Sequence, residues 1–171
     1  HAAPTHPPHL PALGADRVAA ERGRILTAIL LHHPTLLGDV EHAYAQVELS
    51  PPCERLRRTL LEWASGAELL DSTALIDHLT AVGLAAEAAQ VLSAAPVPLP
   101  DCAAPHAMSA EAEAGWWHIF GLMHRGRLEE EVASARREFE VRSDEAAQLR
   151  LIALCTAREM LRRGEQGSGE I

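Results

Sequence analysis

The chain has 171 residues and a formal charge of −9, from 15 arginines, no lysine and 24 acids, a surface poorly matched to a phosphate backbone. Apolar residues make up 47% but aromatic ones only 4%, which supports a Leu/Ala/Val core and argues against base stacking. No apolar run approaches the ~20 residues that span a bilayer, so no membrane contact is expected. The acidic balance points to protein partners without direct nucleic-acid contact, and three cysteines with no pairing pattern make a reducing cytoplasm the expectation.

In chain order, residues 1–15, HAAPTHPPHLPALGA, hold four prolines and three histidines with no apolar period, which predicts a linker or frayed end. The opening His1, where a Met would stand, reads as a piece of a longer chain or a tag scar, and no signal peptide precedes the apolar pattern. A first helix starts at Ala15 or Asp16 and runs through Val18, Ile25, Leu26, Ile29 and Leu30 to His32, where Pro34 forces a boundary. The run ILTAILLHHPTLL is the most apolar in the chain and should lie at the bundle centre.

After Gly38, residues 39–47 predict a short helix with Val40, Ala43, Tyr44 and Val47 inward. Ser50-Pro51-Pro52 starts another, with Leu56, Leu60, Leu61 and Trp63 inward and Arg55, Arg57 and Arg58 in water. Asp71 caps the next, with Leu75, Ile76 and Leu79 inward, and Gly83 ends it. Residues 84–92 form an alanine-rich helix. The Pro-rich stretch 94–100, with Pro105 beyond it, cannot be helical. No strand-like alternation and no internal repeat occur.

Residues 109–163 predict one long helix, a tight turn and a helix folding back. Ser109 is a candidate N-cap with Glu111 and Glu113 in the first turn, and Ser143-Asp144 offers a fresh cap. Trp116, Ile119, Phe120, Leu122 and Met123 spread over one broad side, as in a buried helix. Past His124-Arg125-Gly126-Arg127 the apolar set narrows to Leu128, Val132, Ala135 and Phe139, a seam for a single partner helix. Gly121 and Gly126 mark the weakest part of this helix. The returning helix offers Leu149, Ala153, Thr156 and Met160 as the matching seam, with Leu154 and Leu161 to one side beyond Arg150. Its far side carries Glu145, Gln148, Glu159 and Arg162, yet Ile152 sits in their midst, flanked by Leu151 and Cys155. A two-helix arm cannot bury that second apolar patch, which makes it a candidate docking surface.

The organisation expected is all-α: a linker over 1–15, a multi-helix bundle subdomain over 16–127, a C-terminal helical hairpin over 128–163 joined to it by the long helix, and a flexible tail over 164–171. No catalytic constellation is found, and no metal or cofactor is expected. His32-His33 and Asp77-His78 lack the spacing that converges ligands, and no nucleophile elbow, phosphate-binding glycine loop or H-E-x-x-H occurs. Cys53, Cys102 and Cys155 are odd in number and far apart, so neither a zinc ribbon nor a disulfide framework is suggested. Glu129-Glu130-Glu131 with Arg136-Arg137 reads as a solvated face, and Trp116-Trp117 as the anchor of the long helix to the bundle.

Two segments together resemble a known family. Residues 24–37, RILTAILLHHPTLL, resemble the opening helix of the C-terminal helicase-binding domain of bacterial DNA primase, where a leucine-rich helix ends in a His/Asn-Pro-x-Leu step. Residues 111–161, with EAEAGWWHIFGLM, RLEEEVASARREFE and LRLIALCTAREML in that order, are similar to the family's connecting helix and terminal hairpin. The resemblance covers nearly all of residues 17–163. It implies a bundle that looks like the N-terminal domain of the replicative hexameric helicase and modulates that helicase, plus a hairpin that docks on it. Zinc-binding and RNA-polymerising domains would lie upstream, so this piece is not expected to make primers.

Where the apolar patch meets the docking hairpin, the residues expected to touch the partner are Arg142, Leu151, Ile152, Cys155, Arg158, Glu159 and Arg162. Two other readings stand beside this one: the self-associating N-terminal domain of a replicative helicase, and a metalloenzyme using His32, His33 or His78. A weak or domain-swapped homodimer is a further expectation.

Overall fold

The leucine-rich run becomes the centre of the molecule. The computed structural model describes residues 11–94 and 97–169, and side chains over 17–94, 97–159 and 161–163. Helix α1 (Pro11–His32) buries Leu26, Ala28, Ile29, Leu30 and Leu31 completely, as a helix surrounded by others must. Around it, in chain order, stand α2 (Leu37–Ala45), α3 (Pro51–Gly66), α4 (Ser72–Ala81), α5 (Ala85–Leu92), α6 (Ser109–Arg142) and α7 (Glu145–Gly169), with 3-10 turns at Pro34–Leu36 and Asp101–Ala103. The protein is all-α, with no strand among the described residues.

Several boundaries differ from expectation. Helix α1 begins at Pro11, so 11–15 are helical where a linker was expected; proline is pre-shaped for a first turn and lacks only an N–H that would go unpaired there. Residues 1–10 lie outside the described residues. Helix α7 continues to Gly169 rather than fraying after Arg163, because adding residues to an existing helix is far easier than starting one. The N-cap of α6 is Met108, with Ser109 already inside the helix and no side-chain cap. The long helix is unbroken through Gly121 and Gly126.

Polar side chains do much of the tying. Asp71 accepts from the Ala74 N–H at 3.0 Å, capping α4 as read from the sequence, and Gly83 follows at φ +83°, where a side chain would be strained. Arg57 is not in water: 13% exposed, it donates to the carbonyls of Tyr44 and Val47 and pairs with Glu54, joining α3 to the end of α2. Arg24 donates to the carbonyls of Val91, Ser93 and Val97, pinning the start of the Pro-rich connection to α1. His32 Nδ1 and His33 Nε2 donate to the carbonyls of Ala103 and Ala104, at 2.7 and 2.9 Å. Both histidines therefore hold the connection that delivers α6.

Helix α6 enters the bundle where Gly115 meets Cys102; a Cβ on Gly115 would lie 2.5 Å from the Cys102 Sγ, so only glycine permits this approach. The next residue, Trp116, is fully buried between Tyr44, Trp117 and Phe120, with ring centroids 6.4, 5.0 and 5.3 Å away. Tyr44 donates to Thr27 Oγ1 at 2.8 Å, since the Thr27 hydroxyl is spent on the Gly23 carbonyl, and burial pushes the Tyr44 phenol above its usual range. Ile119 and Phe120 complete the buried side, but Leu122 is 46% exposed and does not belong to it.

His124 extends the stack, 4.3 Å from Phe120. Burial, reinforced by Arg127, lowers its pKa below the usual 6.5, against the opposing pull of Glu48 and Glu131. A depressed histidine pKa means the unfolded chain binds the proton better, so the native state is favoured above pH 6.5 and loses ground as pH falls through the folded value. Thermal melts of wild type and His124→Leu should check this: between pH 7.5 and 5 the wild type should lose more Tm than the variant, and parallel losses would refute it.

Candidate functional site

The hairpin is made by a turn of two residues. Ser143 takes a left-handed conformation (φ 48°) to end α6, and Asp144 Oδ1 accepts from the Ala147 N–H at 2.8 Å to start α7. Asp144→Ala should lower stability by about 1 kcal/mol, read from urea denaturation followed by circular dichroism.

Helix α7 then runs back along α6. On the α6 side Val132 and Ala135 are buried, with Leu128 and Phe139 half-buried. On α7 the side that meets them is Ala147, Leu151, Leu154, Arg158 and Leu161, of which Ala147 and Leu161 are buried and the others half-buried. Their 4-3-4-3 spacing is that of a two-helix seam. This corrects the seam expected from the sequence: Leu149 is 59% exposed, and Ala153 and Thr156 are also exposed. The Met160 side chain lies outside the described residues. The physical reason is Arg158. A guanidinium in mid-seam looks disqualifying in sequence, but here the group reaches Glu129 on α6 at 3.4 Å while its stem covers apolar surface.

The outward face of α7 therefore carries more apolar surface than the sequence assigned to it. Ile152 is 53% exposed, and Leu149, Ala153 and Thr156 share its side of the helix. Val141, 86% exposed, adds an apolar residue near the hairpin tip. Leu151, Ile152, Cys155 and Glu159 line one shallow concavity together with Thr156 and Arg163. Glu159 and Arg163 form its polar edge, 3.6 Å apart. Such surface ion pairs add little stability but can set register with a partner.

The remaining expected contact residues lie elsewhere. Arg158 and Arg162 flank a separate recess at the hairpin base, beside Arg125, Leu128, Glu129 and Leu161. Arg142 is at the tip, bound to Glu138 at 3.1 Å, and the same carboxylate holds Arg150 across the turn at 2.5 Å. Leu149, Thr156 and Arg163 were missed as surface residues. Sliding the α7 seam by two positions, from Leu149 to Ala147, is the change that exposes them.

At the base, Leu128 packs against the bundle core and Leu161 is part of it, so the two ends of the hairpin are rooted in the bundle. Among the described residues no group of three or more His, Cys, Asp or Glu could hold a metal ion, and no helix is long and apolar enough to cross a membrane. Comparisons with protein-family models, curated proteins and solved structures return no match to this chain.

Proposed function

We propose that this chain is a non-catalytic docking module, the helicase-binding domain of a bacterial DNA primase, and that it grips the N-terminal domains of the replicative hexameric helicase with the outward face of α7. The observation behind this reading is the exposure of Leu149 and Ile152 on a helix whose inner side α6 already occupies. Exposed apolar side chains at i and i+3, edged by a Glu159–Arg163 pair, suit a helix laid against a shallow protein groove. The acidic overall charge favours a protein over a nucleic acid as the ligand.

Mechanistically the module tethers. Holding the primase on the helicase raises the local concentration of the polymerising domain, which would lie upstream in the parent protein, at freshly exposed template in the cytoplasm. A small contact with polar edges gives a reversible association, as repeated priming needs. The histidine metalloenzyme reading has less behind it, because His32 and His33 each spend a ring nitrogen on a backbone carbonyl.

Titration calorimetry against the N-terminal domain ring of a replicative helicase tests the proposal, with saturable binding expected and no heat overturning it. Sedimentation of the chain alone separates the self-association reading. A concentration-dependent dimer that Ile152→Asp dissolves would favour that reading over docking.

A further inference from the structure

A second concave surface lies away from the docking face. Helices α2, α6 and α7 enclose a cleft of about 560 Å³, within the range of small-molecule sites. Trp117, Phe120 and Leu128 of α6 form one wall, and Leu154 and Leu161 of α7 the other. These are flat or branched apolar groups, and Trp117 and Phe120 stand edge to face at 5.7 Å. The polar lining is unbalanced. Asp39, Glu41 and Glu131 contribute three carboxylates against one guanidinium, Arg127, which is already paired with Glu131 at 3.3 Å, and the His42 ring also lines the cleft, 4.0 Å from Glu41. His124, on the α6 side, is held neutral near pH 7 by burial and by Arg127, so it adds no positive charge.

We propose that the α2–α6–α7 cleft binds a small organic ammonium ion, with an aromatic or aliphatic body between Trp117 and Leu154 and its amine at the acidic rim formed by Asp39 and Glu41. Apolar walls supply the affinity by excluding water. The rim carboxylates supply the selectivity: an anion of the same shape meets their repulsion. The proposal does not depend on the docking assignment. Ala157 of α7 lines the cleft about 140° around the helix axis from Ile152 but about 40° from Ala153, whereas Asp39 and Glu41 stand on α2, so the paired change of Asp39 and Glu41 is the one that leaves the docking face alone.

The full chain should be titrated with 1-naphthylmethylamine, a cation at neutral pH, and with 1-naphthylacetate, an anion of the same ring system. Calorimetry and the Trp117 indole N–H resonance are the two readouts. The amine should saturate at one equivalent and bind about tenfold more tightly than the acetate, a factor that corresponds to about 1.4 kcal/mol. Ala157→Trp, which fills the cleft, should abolish binding while the circular dichroism spectrum is unchanged. Asp39→Asn with Glu41→Gln should bring the two probes within about threefold of each other by removing the rim attraction. No saturation by the amine, equal affinities in the wild type, or undiminished binding in Ala157→Trp would each overturn the proposal. Ala157→Leu serves as a milder second block if the tryptophan variant fails to fold.

Discussion

Ile152→Asp should abolish association with the helicase N-terminal ring while leaving the helical content of the chain as it was. Ile152 is half-exposed on the outward side of α7 and belongs to no buried cluster, so the substitution should move folding stability by no more than about 0.5 kcal/mol. Inside a dry contact the same carboxylate would lose its water with no partner prepared for it, and central interface residues commonly contribute about 2 kcal/mol or more. A loss beyond about thirtyfold in affinity is therefore expected, by calorimetry, with matched circular dichroism spectra as the control. Ile152→Val should retain binding. An aspartate variant that binds as well as the wild type would place the contact surface elsewhere on the molecule.

Trp116→Ala should be the most damaging single change to folding, at about 3–5 kcal/mol. That is a large share of the ~5–15 kcal/mol that separates a domain of this size from its unfolded chain. Trp116 is fully buried, stacks on Phe120 and meets Tyr44 edge-on, so its removal opens a cavity where α6 joins the bundle. Its indole Nε1 makes no hydrogen bond among the described residues, so the loss is one of packing alone. Trp116→Phe should accordingly lose less than half as much. Urea denaturation of both variants checks the pair, and a loss under about 1.5 kcal/mol for the alanine variant would contradict this account of the core.

The sequence made the all-α architecture legible because its helices announce themselves. Prolines open α3, Asp71 and Asp144 cap α4 and α7, and Gly83 breaks the chain between α4 and α5. The burial of Trp116 and the two-helix turn at 143–144 followed from the same rules. The α7 register did not, because two apolar stripes compete on that helix and only one has an arginine in it. Sequence periodicity favours the uninterrupted stripe, whereas the fold favours the one whose arginine finds Glu129 across the hairpin. The roles of Arg24, His32, His33 and Arg57 were equally hidden. Each acts on backbone carbonyls, which carry no residue signature, and for Arg24, His32 and His33 the carbonyl is some seventy residues away. On the candidate site, periodicity isolated Ile152 but left Leu149 and Thr156 on the wrong side of α7, a direct result of the same register error.

That one uninterrupted helix carries both Trp116 and the hairpin tip has a mechanical consequence. Residues 126 to 142 form an unbroken arm about 24 Å long, starting at Gly126, where nothing beyond the helix's own backbone lies within 4 Å of an added Cβ. A tilt of only about 5° there would carry the tip through about 2 Å. A partner that tilted the far end would act through the same helix on the aromatic stack at the near end, and a change in tryptophan emission on binding would report it.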